Sequence, residues 1–338
     1  MPLFLTFPDW IRPEIFPQLP WLPIRWYGLM YVVAFALTYW LFTVQVKRSG
    51  QQIAGDTISN FFFSGLAGLI VGARIFATLI YSPDRLHYLT NPWLIFWPFD
   101  ESGKLTGFAG MSFHGGLLGT VVGMVVYARV KKLDILQWAD WVFAAFPLGY
   151  TFGRFGNFIN SELWGRATLA PWGMVFPNGE PLPVSEPWVK HAVDVTGVPI
   201  DADGMANLPR HPSQLYEAFG EGVLLWLVFW FLLKDRVPFR GFLIGAYLIT
   251  YGIIRFVIEY FRNPDKGMDF IITFQPGTST SQLDVPLFNF SMGQILCFLM
   301  IIAGVLSWWL IGVYHKRQSL RTQAADKKTP RKPAKGAK

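Results

Sequence analysis

Long apolar runs separated by short polar junctions dominate the chain. Seven of these runs approach or exceed the roughly 20 residues that a helix needs to cross the hydrocarbon core of a bilayer. The pattern predicts an all-α, polytopic membrane protein with about seven transmembrane helices. The fourth is the least apolar, because it carries Asp140 and Pro147. The predicted spans cover residues 24–46, 58–81, 112–130, 135–152, 213–233, 242–261 and 292–314.

Basic residues mark every second junction between the predicted spans. Loops on the cytoplasmic side of a membrane carry an excess of Lys and Arg. The pattern therefore predicts an N-terminus outside the cytoplasm and a cytoplasmic C-terminus. The residues behind this prediction are Lys47 and Arg48 after the first span, Arg129, Lys131 and Lys132 after the third, Lys234, Arg236 and Arg240 after the fifth, and Lys316 and Arg317 after the seventh.

The loops divide the chain into five segments. The longest loop is rich in Pro, Gly and Trp, and we expect it to form a small extracytoplasmic head between helices four and five. The last segment has many Lys and Arg and few bulky apolar side chains, which is typical of a disordered, basic cytoplasmic tail. The predicted order is an extracytoplasmic N-terminal segment at 1–23, helices one to four at 24–152, the head at 153–211, helices five to seven at 212–314 and the tail at 315–338.

Composition narrows the class of protein. Hydrophobic residues make up 52% of the chain and charged residues only 15%, with a net charge of +7, whereas soluble proteins have about 25% charged residues. The long spans connect this basic charge with a bilayer and not with a nucleic acid. A single cysteine, Cys297, excludes an internal disulfide. The sequence has no HExxH helix, no glycine-rich phosphate loop and no cluster of histidines, so we expect neither a metal nor a cofactor.

Polar side chains are concentrated where the fourth span ends. The segment GRFGNFINSELWGR, residues 153–166, contains Arg154, Asn157, Asn160 and Glu162. A guanidinium group presents a planar fork of donors that suits a phosphate, and amides suit glycerol or peptide groups. The alternative is a polar loop whose charges pair with one another.

Charged side chains also lie inside the fifth and sixth spans, where charge is costly and indicates function. In the sixth, Arg255 and Glu259 are four residues apart and share a helix face with Tyr251. The alternative is an ion pair that only fixes helix packing. In the fifth, Glu217 and Glu221 are expected to face inward, and capping of the helix start does not explain Glu217.

Two further motifs lie near the outer ends of other spans. In MSFHGGLLG, His114 precedes Gly115, Gly119 and Gly123, whose spacing of four lets another helix approach closely. Tyr27 lies in IRWYGLMY at the start of the first span. Both His114 and Tyr27 are equally interpretable as interface anchors. Together, the candidate residues describe an outward-facing cavity without metal that suits an anionic lipid headgroup.

These motifs resemble the prolipoprotein diacylglyceryl transferase family from about residue 25 to residue 314. GRFGNFINSELWGR is similar to nearly all of that family's signature. It is joined in the expected order by IRWYGLMY, MSFHGGLLG, RHPSQLYEA and YGIIRFVIEYFR. One departure is Ala73, where we expect glycine in many relatives, and it concerns local packing only.

The resemblance implies an activity in the bacterial cytoplasmic (inner) membrane, with the active site toward the outer face. The family transfers the sn-1,2-diacylglyceryl group of phosphatidylglycerol to the lipobox cysteine thiol in the signal peptide of a prolipoprotein, and glycerol phosphate leaves. The implied partners are these two substrates and membrane lipids, with no cofactor and no nucleic acid. The implied catalytic residues are His114, Arg154, Arg255 and Glu259, and the implied binding residues are Tyr27, Arg154, Asn157, Asn160, Glu162, Gly165 and Tyr251.

The implied chemistry suits these residue types. A thiol has a pKa of about 8.5, so attack needs a base or a positive field that favours the thiolate. His114 is the candidate base, and the arginines are the candidate field. Arg154 and Arg255 would stabilise the negative charge of the leaving glycerol phosphate, with Glu259 orienting Arg255.

Two other classes of protein are possible interpretations of the motifs. A secondary transporter for an anionic solute predicts polar residues along a route to the cytoplasm, yet the charged motifs gather on the outer side. An intramembrane peptidase needs a paired-aspartate, serine or zinc system, and none of these is apparent in the sequence.

Overall fold

The structure is a computed structural model that describes residues 4–19, 24–99, 103, 110–263, 270–275, 283 and 285–328. Helices dominate this part of the chain. They are α1 (Trp26–Arg48), α2 (Gly55–Tyr81), α3 (Arg85–Thr90), α4 (Phe113–Val130), α5 (Ile135–Ile159), α6 (Pro187–Thr196), α7 (Ser213–Leu233), α8 (Phe242–Glu259) and α9 (Met292–Lys328). The last turns of α2 and parts of α7 are π-helical.

Six helices in the described part of the chain are long and apolar enough to cross a membrane. They are α1, α2, α4, α7, α8 and the Met292–Leu320 part of α9. The all-α, polytopic class predicted from the sequence is confirmed. The predicted fourth span is also a helix, α5, but it is not among these six, and it contains the Asp140 and Pro147 that weakened its apolar pattern.

Asp140 has a structural role that explains its position in an apolar helix. Its buried carboxylate accepts hydrogen bonds from the backbone N–H groups of Gly241 at 2.7 Å and Leu243 at 2.8 Å. These N–H groups lie at the start of α8, where a helix leaves its first donors without partners inside the helix. A carboxylate from α5 therefore caps α8.

Two helices extend beyond the predicted boundaries. α5 continues to Ile159, past residue 152, so Arg154 and Asn157 lie on a helix and not in the head. α9 continues to Lys328, so helix replaces the disordered chain predicted from residue 315, while residues 329–338 lie outside the described part. Residues 315–328 contain no Gly or Pro and are rich in Lys, Arg, Gln and Ala, which sustain a helix.

The chain divides into two compact units. One comprises Met1–Phe42 and Ala139–Lys338, and the other comprises Thr43–Trp138. Each unit is described by itself.

In the unit Thr43–Trp138, α2 and α4 pack through facing glycines. A Cβ atom on Gly119 would collide with the carbonyl oxygen of Gly68, and a Cβ on Gly115 with that of Gly72. The close approach predicted from the spacing of the α4 glycines is therefore confirmed. Ala73 is buried in this interface, so the alanine at the departure from the family pattern is accommodated.

In the other unit, residues 160–212 form a small region with its own core. Strand β1 (Leu5–Thr6) pairs in parallel with β2 (Met174–Val175), and β3 (Leu182–Pro183) pairs antiparallel with β4 (Met205–Ala206). The apolar core of this region includes two fully buried side chains, Val189 from α6 and Leu208. α6 ends at Gly197, whose φ of 72° suits glycine.

Candidate active site

Three arginines and three carboxylates form one buried group, which we call the arginine cluster: Arg154, Arg255, Arg262, Glu217, Glu221 and Glu259. Glu217 on α7 is at its centre and has no exposed surface. Its carboxylate lies 2.9 Å from Nε of Arg154, 3.4 Å from Nη1 of Arg255 and 3.5 Å from Nη1 of Arg262. One carboxylate therefore holds guanidinium groups from α5, α8 and the residues after α8.

The other two carboxylates complete the pairing. Glu259 Oε2 lies 3.0 Å from Nη2 of Arg255 and 3.8 Å from Nε of Arg262, and Glu221 Oε1 lies 3.8 Å from Nη1 of Arg255. The predicted pairing of Arg255 with Glu259 is confirmed. Buried charges are tolerated when they are paired, and three positive charges here face three negative ones.

A tyrosine connects α5 to this group. Arg154 donates from Nε to the hydroxyl of Tyr150 at 2.7 Å, and that hydroxyl donates to Glu221. Tyr251 packs edge-on against Tyr150, with ring centroids 6.2 Å apart. Tyr251 therefore lies beside the arginine cluster, on the helix face that the sequence predicts.

The end of α5 adds amide groups. Arg154 donates to Asn157 Oδ1 at 3.5 Å, and Asn157 Nδ2 donates to Glu162 Oε1 at 2.8 Å. Ser161 and Leu163 have φ angles of 53° and 56°, which L residues rarely adopt. This tight turn directs Glu162 back toward the helix end.

Two side chains of α7 donate hydrogen bonds to backbone carbonyls of this tight turn. Gln214 Nε2 donates to the carbonyl of Glu162 at 2.7 Å, and Ser213 Oγ donates to that of Leu163 at 3.1 Å. Asn160 accepts through its backbone carbonyl from Asn178, while its buried Oδ1 has no partner among the described residues. Asn160 therefore differs from Asn157, whose side chain is fully engaged.

Gly165 lies where the segment after α5 crosses the end of α8. Its N–H donates to the carbonyl of His211 at 2.8 Å, and a Cβ here would collide with the carbonyl oxygen of Phe261. The next N–H, of Arg166, donates to that same Phe261 carbonyl at 2.9 Å. Only glycine permits this approach, which ties the end of α8 to residues 160–212.

Tyr27 lies at the start of α1, against α5. Its hydroxyl lies 3.0 Å from that of Tyr31, and it also faces Asn157. A Cβ on Gly156 would be 3.2 Å from the Tyr27 ring. Tyr27 is thus next to the amide groups of α5, within the same unit.

His114 belongs to the unit Thr43–Trp138 and is described apart from the arginine cluster. It is an exposed residue near the start of α4, and its Nδ1 lies 3.0 Å from the hydroxyl of Tyr81. Ser112 caps this helix by accepting from the N–H of Gly115 at 3.1 Å. The imidazole is accessible, as a base that receives a proton from a substrate needs to be.

Two basic residues before α7 have pKa values shifted by burial. The pKa of His211 falls to about 4, first because burial penalises its charged form and then because Arg166 is near. The pKa of Arg210 falls to about 10 because of burial, against the opposing effect of Glu180. Arg210 stacks on Trp164 with its guanidinium carbon 3.9 Å from the ring centroid. Both side chains are therefore packed inside the region 160–212.

Two members of this site lie outside the residues that the sequence motifs indicate. Tyr150 and Arg262 were not singled out, although Tyr150 precedes Arg154 by four residues and Arg262 follows Glu259 by three. The first spacing places both side chains on one face of α5, whereas Arg262 lies just beyond the end of α8. Glu217 stood out as unexplained, but its contacts with arginines on other elements were not readable from spacing.

A search among known protein families decides between the possible classes. The sequence profile of the family described as prolipoprotein diacylglyceryl transferase matches residues 13–310. The chain belongs to this family.

Individual relatives agree along nearly the whole chain. Several bacteria have a protein that is similar to this chain and is named phosphatidylglycerol–prolipoprotein diacylglyceryl transferase. The Treponema pallidum (strain Nichols) protein is 44% identical, covering 94% of this chain and 98% of the relative. The Treponema denticola protein is 46% identical, covering 94% and 97%. The Chlorobaculum tepidum protein is 38% identical, covering 88% and 89%.

As a prolipoprotein diacylglyceryl transferase family member with six apolar helices, the chain is a multi-pass membrane protein. In the described part of the chain, no group of three or more His, Cys, Asp or Glu side chains is arranged to hold a metal ion.

Proposed function

We propose that this chain transfers the sn-1,2-diacylglyceryl group of phosphatidylglycerol to the lipobox cysteine of prolipoproteins. In the reaction, a sulfur–carbon bond forms at the terminal glycerol carbon while that carbon's bond to the phosphate oxygen breaks. The products are a thioether and glycerol phosphate, and the thiol proton passes to a base. The observation that carries the proposal is the buried arginine cluster in a chain of this family.

The arginine cluster supports binding of an anionic phosphodiester. Arg154 and Arg255 present several N–H donors from two helices toward the same carboxylate. A phosphate has the geometry to replace a carboxylate at such donors. We assign headgroup or peptide contacts to Tyr27, Asn157, Asn160, Glu162, Gly165 and Tyr251, which lie on or beside this part of the chain.

The same arginines support catalysis. Negative charge grows on the leaving glycerol phosphate as the carbon–oxygen bond breaks, and fixed donors in a site of low dielectric stabilise that charge. Glu259 keeps Arg255 oriented through the ion pair of 3.0 Å. We assign the role of base for the thiol to His114, because its imidazole is exposed and has a ring nitrogen that can accept a proton.

An apolar groove supports a lipid substrate. It has a volume of about 510 Å³ and lies between α7 and α8, the helices that carry Glu217 and Arg255. Its lining includes Phe219, Ile253 and Val257. The apolar lining matches an acyl chain, and because that chain comes from the bilayer and not from water, packing contacts hold it in the groove.

We place the protein in the bacterial inner membrane, with its N-terminus outside and its C-terminus in the cytoplasm. This orientation counts α5 as a seventh crossing beside the six apolar helices, and the basic junctions after the first, third, fifth and seventh spans support it. Residues 153–211 then lie outside the cytoplasm and the active site faces outward. That side is where a prolipoprotein signal peptide presents its lipobox.

Transfer by purified protein tests the proposal. The protein is incubated with phosphatidylglycerol vesicles and a lipobox peptide, and with a matched peptide that has serine in place of cysteine. We expect the cysteine peptide alone to gain the mass of one diacylglyceryl group, with release of glycerol phosphate. No mass gain, together with solute flux into proteoliposomes, would instead support the transporter class.

A further inference from the structure

The start of α9 is built around Glu259. Ser291, directly before the helix, donates from Oγ to Glu259 Oε1 at 3.1 Å, and both side chains are buried. The other oxygen of Glu259, Oε2, is the one paired with Arg255 at 3.0 Å. The two oxygens of this carboxylate therefore have different partners on different elements.

Ser291 is itself held in place by a reciprocal cap. Its Oγ accepts from the N–H of Gln294 at 3.3 Å, and its own N–H donates to Oε1 of Gln294 at 2.9 Å. This arrangement is a capping box, which fixes the first turn of a helix. Because Ser291 Oγ acts as the acceptor in this capping box, its own hydrogen remains available to donate to Glu259.

Gly293 lets the helix start come close to the carboxylate. A Cβ at this position would lie 3.1 Å from Glu259 Oε2 and would collide with Oε1. Among the described residues, the charged or titratable side chains that face Glu259 are Arg255 on α8, Arg262 just after α8 and Cys297 on α9. Among these groups, Ser291 supplies a neutral donor from a second element.

We propose that Ser291 is a positioning residue for the transfer reaction, because its hydroxyl fixes the carboxylate that orients Arg255. The inference rests on the proposed function. Without the bond to Oε1, Glu259 is free to rotate and its pairing with Arg255 loosens. Arg255 then loses its fixed direction toward the leaving phosphate, so turnover falls while the phosphatidylglycerol KM changes less.

Three variants of Ser291 separate positioning from helix capping. Ser291→Ala removes both roles. Ser291→Asp keeps a strong N-cap, but at neutral pH it accepts only and repels Glu259. Ser291→Thr keeps both the cap and the donor. The matched control is Ser307→Ala on the same helix, whose hydroxyl bonds at 2.7 Å to the carbonyl of Gly304.

We expect Ser291→Ala to lower kcat about tenfold, the usual effect of losing a hydrogen bond to a charged group. Relative to the unsubstituted protein at the same pH, Ser291→Asp should be at least as slow as Ser291→Ala at pH 8 and should recover toward about pH 5.5, because a protonated carboxyl donates again. Ser291→Thr should regain most of the activity, and Ser307→Ala should match the unsubstituted protein. Thermal midpoints in detergent report folding for each variant.

The outcomes are distinguishable. If the unsubstituted protein transfers the lipid but Ser291→Ala and Ser291→Asp keep its kcat, the positioning role is overturned. If Ser291→Asp restores activity equally at every pH, Ser291 acts only as a cap and the inference also fails. If the unsubstituted protein transfers nothing, the proposed function is what fails.

Discussion

At the residue scale, the planar guanidinium group explains why arginine occupies positions 154 and 255. Arg154 contacts Tyr150, Asn157 and Glu217 at once, and Arg255 contacts three carboxylates. A lysine ammonium keeps the charge but has a single nitrogen on a flexible stem. It therefore cannot reproduce several directed contacts from one side chain.

We predict that Arg154→Lys and Arg255→Lys each lower the rate of diacylglyceryl transfer by about 100-fold, the scale of losing one fixed charge-stabilising donor. The rate is measured as thioether formation on a lipobox peptide. Arg236→Lys is the matched control, because Arg236 is exposed and bonds only to the nearby Leu232 carbonyl among the described contacts. Near-normal rates in both variants would contradict the two-arginine mechanism.

A second residue-scale prediction concerns acid sensitivity. His211 has a pKa of about 4 in the folded protein, below the roughly 6.5 of an unfolded chain. The unfolded state therefore binds more protons between these values, and stability falls as pH drops from about 6.5 to about 4. We expect His211→Asn to reduce this fall, measured as the thermal midpoint against pH.

His191→Asn is the control for that measurement, because His191 is exposed on α6, whereas His211 is half-buried. The substitution should leave the acid sensitivity unchanged. An identical pH dependence in His211→Asn and the unsubstituted protein would show that another group causes the acid sensitivity.

At the scale of elements, the pair α2 and α4 depends on backbone contact. Glycines let two helices approach until dispersion and Cα–H contacts operate between backbones, which is how helices associate where lipid removes the hydrophobic drive. Gly68 and Gly119 face each other at this contact. Any side chain there must force the helices apart.

We predict that Gly119→Val destabilises the protein by about 1–3 kcal/mol, the usual cost of overpacking a tight interface. Gly28→Val on α1 is the comparison, because a Cβ there meets nothing within 4 Å. Thermal unfolding in detergent measures both. Equal midpoints for the two variants would mean that the α2–α4 contact is not tight in the folded protein.

The helices also show which parts of the fold could be predicted from the sequence. Apolar runs and glycine spacing predicted the helices and the α2–α4 approach, because both depend on local pattern. The ends of α5 and α9 did not follow from hydropathy, since polar residues such as Arg154 and Lys316 continue a helix once tertiary contacts or propensity allow it. Hydropathy therefore predicts which part of a helix can lie in the membrane, but it does not predict where the helix ends.

The candidate site likewise has contacts that the sequence predicts and contacts that it does not. Arg255 and Glu259 were predictable as a pair because one helix carries both. Glu217 joins arginines from α5 and from beyond α8, and this meeting depends on tertiary packing that no spacing encodes. The role of Asp140 as a cap for α8 was hidden for the same reason.

At the scale of the whole molecule, the distribution of charge predicts orientation. We expect Lys190→Cys in α6 and Arg317→Cys in α9, each in a Cys297→Ser background, to react differently with a membrane-impermeant maleimide. Both positions are exposed. Position 190 should be labelled in intact spheroplasts and position 317 only after permeabilisation. The opposite pattern would reverse the proposed topology.

The balance of the arginine cluster has a consequence for turnover. Three carboxylates already pair with three guanidinium groups, so under the proposed function an incoming lipid phosphate exchanges with Glu217 or Glu221, while Glu259 stays on Arg255, and does not simply add to a positive site. Such an exchange gains little net free energy, because each contact formed replaces one that was broken. Under that proposal the displaced carboxylates compete with glycerol phosphate for the same donors, and the return of the ion pairs favours release of the product.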